Sequence, residues 1–152
     1  VGNALRYELL GPLRARRGDV EIGLGGVKQQ TVLAMLLLEP NRPVAVDRIV
    51  RTVWGMQPPP SVTHVVQTYV SRLRSLLDLG RALVSTDAGY LLRVDPDQLD
   101  ITFFDRHLAA AAQHGERGER VAAAGEVAAA LALWRGEPLA GLSGESIEAA
   151  RH

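Results

Sequence analysis

Between Ser61 and Leu77 the chain reads SVTHVVQTYVSRLRSLL, a stretch whose polar residues are of the types that grip nucleic-acid bases. Its apolar residues Val62, Val65, Val66, Tyr69, Val70, Leu73, Leu76 and Leu77 follow one another at steps of three or one. At about 100° per residue they fall on one stripe of a helix. The opposite face carries His64, Gln67, Thr68, Ser71 and Ser75, flanked by Arg72 and Arg74, with no acid before Asp78. In a DNA major groove Gln pairs with the edge of adenine, Arg with that of guanine, and Thr offers a hydroxyl and a methyl. The same face also suits an ordinary solvated helix, so the rest of the chain has to decide.

No other cluster points to a reaction. The histidines at 64, 107, 114 and 152 lack metal-ligand spacing on any one helix. There is no cysteine, hence no disulfide or thiolate metal site. Gly23, Gly25 and Gly26 lack the Gly-Lys-Ser/Thr ending and βαβ context of a phosphate loop. No Ser/His/Asp or paired-carboxylate arrangement stands out, so no catalytic residue, metal or cofactor is expected. The longest apolar run, Val32 to Leu38, is too short for a bilayer, and no leader pattern opens the chain. A hydrophobic content of 47% and mean hydropathy of +0.03 describe a soluble globular protein, expected in the cytoplasm. Its 152 residues allow one domain, or a small domain and part of another. The zero net charge conceals a division: residues 1–95 hold twelve Arg/Lys against eight Asp/Glu, and residues 96–152 five against nine. A basic front and an acidic back fit a DNA-binding domain joined to one that does not touch DNA.

The elements around the helix agree. Leu5, Tyr7 and Leu9, then Val20, Ile22 and Leu24, alternate as strands about a turn near Arg17-Gly18-Asp19. Val27 to Glu39 reads as a Leu-rich helix stopped by Pro40-Asn41-Arg42-Pro43. Val44-Ala45-Val46 reads as a short strand, and Asp47 as the N-cap of a helix through Trp54 that Gly55 terminates. That helix should turn Val46, Ile49, Val50, Val53 and Trp54 inward. Met56 to Pro60 is a loop stiffened by Pro58, Pro59 and Pro60, and Ser61 is expected to cap the next helix. Residues 82–85 and 90–94 form a hairpin about Thr86-Asp87-Ala88-Gly89. Two helices joined by a loop, the second with a polar reading face and a hairpin after it, make a winged helix-turn-helix. Asp95-Pro96-Asp97 marks the expected boundary. Beyond it, Thr102–Gln113 and Glu119–Trp134 are alanine-rich helices, one unit of a helical repeat that cannot bury its faces alone. Leu131, Leu133 and Trp134 are therefore expected to help pack residues 96–152 onto the winged helix, on its amino-terminal sheet. With Val1 in place of methionine and a helical reading at the end, the chain is expected to be a fragment continued by helical sequence.

Several stretches in order resemble the AfsR/SARP family, the Streptomyces antibiotic regulatory proteins. They are Tyr7-Glu8-Leu9-Leu10-Gly11-Pro12-Leu13, Leu33-Ala34-Met35-Leu36-Leu37-Leu38 with Pro40-Asn41, and Trp54-Gly55 followed by Pro58-Pro59-Pro60. The clearest are Gln67-Thr68-Tyr69-Val70-Ser71-Arg72-Leu73-Arg74 and Gly89-Tyr90-Leu91-Leu92. Leu131 to Leu139, LALWRGEPL, is similar to the family's bacterial transcriptional activation domain. The resemblance implies an α+β fold with an OmpR/PhoB-type winged helix over residues 1–95 (amino-terminal sheet, three helices, hairpin wing). A partial, all-α, TPR-like activation domain would follow over 96–152. It further implies promoter direct repeats in double-stranded DNA, side-by-side protomers, and activation of secondary-metabolite genes through RNA polymerase holoenzyme with its sigma factor. Larger members continue into a nucleotide-binding domain.

Within that frame Arg72 is the first candidate for a base-edge contact, with Gln67, Thr68 and Ser71 beside it in the groove. Thr63, His64 and Arg74 fall where phosphates would lie, although His64 reads equally as a solvated histidine. Related wings carry an arginine before the turn; here Thr86 and the acidic Asp87 stand there, which argues against minor-groove reading. Arg81 and Arg93 are the candidates for backbone contacts instead. Met56, Gln57 and Pro58 are candidates for contacting RNA polymerase, the alternative being that the loop only connects. Trp54 and Trp134 read as packing residues. A different class of function, a protein-interaction module on a winged-helix scaffold without specific DNA binding, also fits the pattern.

Overall fold

Alternation in the first strand sends Leu5 and Tyr7 into the protein and leaves Arg6 exposed. The structure, a computed structural model, describes residues 4–151; His152 lies outside them. Strands β1 (Leu5–Glu8), β2 (Arg14–Arg17) and β3 (Val20–Ile22) form an antiparallel sheet in sequence order, with Tyr7 opposite Ala15 and Ala15 opposite Ile22. The middle strand has no apolar alternation beyond Ala15. Pairing and charge hold it: Arg14 donates to Glu8 at 2.5 Å and lies 3.8 Å from Glu21. Val20, which alternates in step with Ile22 and Leu24, is nevertheless 67% exposed on the edge strand.

Helix α1 (Val27–Leu38) is the centre, with Thr31 to Leu37 all buried. Helix α2 (Val46–Trp54) follows almost at once, so the expected strand at 44–46 shrinks to one bridge between Val44 and Tyr90. Asp47 does not cap α2; Ala45 holds that position and Asp47 sits in the first turn, where its charge favours the helix dipole. Of the residues expected inward, Ile49 is buried, Val46, Val50, Val53 and Trp54 are half-buried, and Thr52 is buried too. Gly55 ends the helix at positive φ, as expected. Helix α3 (Val62–Leu76) starts after Ser61, whose side chain makes no capping bond; its carbonyl accepts from the Val65 N–H instead. Strands β4 (Leu83–Thr86) and β5 (Gly89–Leu92) form the hairpin. Gly89 has φ +133°, and a Cβ there would overlap the Val44 carbonyl oxygen, which accepts the Tyr90 N–H. The base of the hairpin therefore depends on that glycine.

The helical segment consists of α4 (Asp100–Glu116), α5 (Arg120–Ala132) and, at the end that read as helical, a short α6 (Glu145–Ala150). It packs on the amino-terminal sheet; of the three residues expected there, Leu133 is half-buried beside Arg6, Tyr7 and Glu8, and the other two are not. Leu131 is 61% and Trp134 42% exposed, whereas Leu99, Leu139, Leu142 and Ile147 join the core of the winged helix. The Asp100 carboxylate accepts the Leu9 and Leu10 N–H groups at 2.9 Å. The Arg135 and Leu139 N–H groups donate to the Leu10 and Leu9 carbonyls at 2.8 and 3.0 Å. The Arg135 guanidinium reaches the Pro12 carbonyl at 2.5 Å. Helix α6 lies on α1 and α2, with Ser146 Oγ 3.1 Å from both Arg48 Nε and Thr52 Oγ1, and Arg51 3.2 Å from Glu145.

Burial holds the Asp100 carboxyl above the usual aspartate range, against the lowering effect of the N–H groups of Leu9, Leu10 and Ile101. Asp100→Ala would orphan two buried N–H groups and should cost about 1–3 kcal/mol in urea unfolding. The raised value means that the folded state holds the proton more tightly. That stabilisation is full below the unfolded aspartate range and is lost as pH rises through the folded value. Asp100→Asn can place its oxygen where Oδ2 accepts both N–H groups and cannot ionise. Its unfolding free energy should lack this acid-side decline; a profile identical to that of the parent would show that Asp100 ionisation has no part in stability.

Candidate nucleic-acid interface

The back of α3 is committed to the core: Val66, Val70 and Leu73 are buried, with Leu77 continuing the stripe. The stripe is narrower than its sequence suggested, because Leu76, three residues after Leu73, turns out to 45% exposure. What remains outward is the polar face. Thr63, His64, Gln67, Ser71 and Arg72 are exposed and Thr68 is half-buried. Steps of four residues arrange them as two adjacent ridges, His64–Thr68–Arg72 and Thr63–Gln67–Ser71. No acid interrupts either ridge.

The two flanking arginines differ. Arg72 is exposed and makes no hydrogen bond or ion pair with any described residue. Arg74 is half-buried and donates to the Leu83 carbonyl at 2.9 Å, tying α3 to the first strand of the wing. A second tie was not visible in the sequence: Arg17 on β2 donates to the Leu77 carbonyl at 2.6 Å and holds the far end of α3. The sequence there, RARR, shows only a run of cations and gives no hint of a helix end as partner.

At the wing, Thr86 Oγ1 donates to the Gly89 carbonyl at 2.9 Å and accepts the Ala88 N–H at 3.2 Å. Its hydroxyl closes the turn and leaves the exposed Asp87 at the tip. Arg81 and Arg93 lie at the other end of the hairpin, both exposed, and the Arg93 N–H bonds the Ala82 carbonyl at 2.7 Å. The cations thus leave from neighbouring points at the base of the wing, with the acid at its far end.

The loop before α3 is anchored at its root and open at its crest. Trp54 stacks on Tyr69, centroids 6.2 Å apart and planes 11° from parallel, so the last residue of α2 is fixed to the middle of α3. Beyond that anchor Met56 is 95% exposed, and Gln57 and Pro58 are exposed beside it. His107 and His114 serve the helical segment, the first pairing with Glu126 at 2.6 Å and the second with Glu119 at 3.1 Å. Among the described residues no group of His, Asp and Glu converges as a metal site, and no helix is long and apolar enough to cross a membrane.

Two family models match the chain: "Transcriptional regulatory protein, C terminal" over residues 24–92, and "Bacterial transcriptional activator domain" over 99–152. Regulatory protein AfsR of Streptomyces griseus is 35% identical over 144 residues, which cover 95% of this chain and 15% of that protein. Transcriptional regulatory protein MoaR1 of Mycobacterium tuberculosis is 37% identical over 155 residues, covering 93% of this chain and 48% of MoaR1. The solved structure of Mycobacterium tuberculosis EmbR in complex with a low affinity phosphopeptide superposes with a TM-score of 0.84 at 34% identity, over 89% of this chain and 37% of that one. The chain therefore spans less than half the length of each of these relatives.

The bond from Arg74 to the wing has a measurable consequence. Arg74→Ala should cost about 1 kcal/mol and speed amide exchange selectively at residues 83–92 relative to α1. Unchanged exchange there would mean that the guanidinium is dispensable to the wing.

Proposed function

The chain belongs to the AfsR/SARP family of transcriptional regulators, and on that premise we propose that it is a sequence-specific DNA-binding transcriptional activator. The observation that carries this reading is the outward face of α3: an acid-free pair of polar ridges ending in an arginine with no partner inside the described protein. Helix α3 enters the major groove. Arg72 takes a base edge, with Gln67, Thr68 and Ser71 alongside, while Thr63 and His64 approach phosphates. Arg81 and Arg93 anchor the backbone from the base of the wing. Asp87 keeps the wing tip out of the minor groove, since an acid there is repelled by phosphate. Arg74 acts mainly through the wing that it holds.

Binding becomes activation through the Met56–Pro58 crest. A stiff exposed loop loses little entropy when a partner docks, and the Trp54–Tyr69 stack fixes it relative to the groove-facing helix. The partner is RNA polymerase holoenzyme with its sigma factor, met by protomers set side by side on promoter direct repeats. The target genes are those of secondary metabolism, in the cytoplasm. The rival reading, a protein-interaction module, has one observation in its favour: Val121, Leu131 and Trp134 are large apolar side chains left exposed on the helical segment.

Binding to duplex DNA should weaken steeply with salt as counterions are released. Arg72→Ala should cost about 1–3 kcal/mol on a selected site and relax discrimination at one base pair. Equal loss on selected and random DNA would remove Arg72 from base reading, and salt-insensitive or absent binding by the parent protein would favour the interaction module. Replacing Met56 and Gln57 by serine should lower transcription from a repeat-containing promoter at unchanged promoter affinity. If both fall together, or neither changes, the loop only connects.

A further inference from the structure

Thr68 sits in the middle of the ridge His64–Thr68–Arg72, and its hydroxyl is already engaged. Oγ1 donates to the His64 carbonyl at 3.0 Å, one turn back along α3. A hydroxyl has a single proton, so this one is withheld from any acceptor on a base. Threonine is branched at Cβ; holding Oγ1 against the preceding turn selects one χ1 rotamer and with it the direction of Cγ2. Gln67 and Ser71 on the neighbouring ridge form no hydrogen bond with a described residue and keep their donors. The two ridges therefore carry different chemistry: polar donors on one, and on the other a methyl group one turn before a free guanidinium.

Resting on the reading of α3 as the recognition helix, we propose that Thr68 is a specificity-determining residue that reads the 5-methyl group of a thymine through its own methyl. That methyl is the apolar group on the major-groove edge of the bases, and contact with it needs neither donor nor acceptor. Thr68 and Arg72 lie one helical turn apart, about 6 Å along the axis. Successive bases are about 3.4 Å apart, so the thymine lies one or two base pairs from the base that Arg72 takes. Serine at this position would keep the hydroxyl and lose the reading; valine would lose the hydroxyl and keep it.

The experiment selects a binding site from random duplexes with the intact 152-residue chain and then replaces each thymine of that site in turn by deoxyuridine. One replacement should weaken the parent protein about fourfold, the scale of one buried methyl group. Thr68→Val should show the same penalty at the same position, and Thr68→Ser should show none there while melting at a similar temperature. The proposal is overturned if no deoxyuridine weakens the parent protein on a site that it otherwise binds tightly. It is equally overturned if Thr68→Val loses the selected site while Thr68→Ser keeps both affinity and the deoxyuridine penalty, for then the hydroxyl does the reading. Failure of the parent protein to enrich any duplex would overturn the DNA-binding reading itself, an outcome separate from both.

Discussion

Leu9 and Leu10 leave β1 as buried residues, and all four of their main-chain polar groups are satisfied by residues at 100, 135 and 139. The Asp100 carboxylate takes both N–H groups, and the Leu139 and Arg135 N–H groups supply both carbonyls. Buried main-chain groups need partners, and here the partners come from 90 to 130 residues away along the chain rather than from a neighbouring strand. The rest of the arrangement depends on this exchange. It sets the helical segment against the amino-terminal sheet, lets Leu99, Leu139, Leu142 and Ile147 enter the core, and brings α6 onto α1 and α2. The burial that raises the Asp100 pKa comes with the same contact.

From that contact a chain of attachments leads to α3. Ser146 and Glu145 on α6 bond Thr52, Arg48 and Arg51 on α2. Gly144, at φ +112°, lies so close to Thr52 that a Cβ would overlap its carbonyl oxygen. The end of α2 is stacked on α3 through Trp54 and Tyr69, and Arg17 and Arg74 hold the far end of α3 to the sheet and to the wing. Helix α3 is thus fixed along its length by side chains that point away from its polar face. A face held this way presents its donors without further ordering, which lowers the entropy lost on binding.

The helical period of α3, the Leu-rich α1, the Gly55 terminator and the hairpin were legible because each follows from local pattern or from a single backbone requirement. Strand β2 was not, since RARR carries no alternation and its place is set by partners on either side. Residues 44–46 read as a strand because two β-branched valines flank Ala45, yet Val44 makes only the bridge that Gly89 allows. Helix α6 has six residues, too few for a period to show. The outward residues of α3 could be named in advance, but the division between a free Arg72 and an engaged Arg74 could not. It depends on Leu83, a residue in another element whose carbonyl no sequence pattern advertises. For the same reason Asp100 gave no sign of being the residue that joins the two ends of the chain.

Under the proposed function α3 and the base of the wing, and not the helical segment, meet DNA. The most direct measurement is a titration of the isotopically labelled chain with a selected duplex, followed by amide chemical shifts. The largest changes should fall at Thr63, His64, Gln67, Thr68, Ser71 and Arg72, with a second set near Arg81 and Arg93. Amides of α4, α5 and the Asp87 tip should stay nearly still. Large changes along α4 and α5 with a silent α3 would contradict that reading.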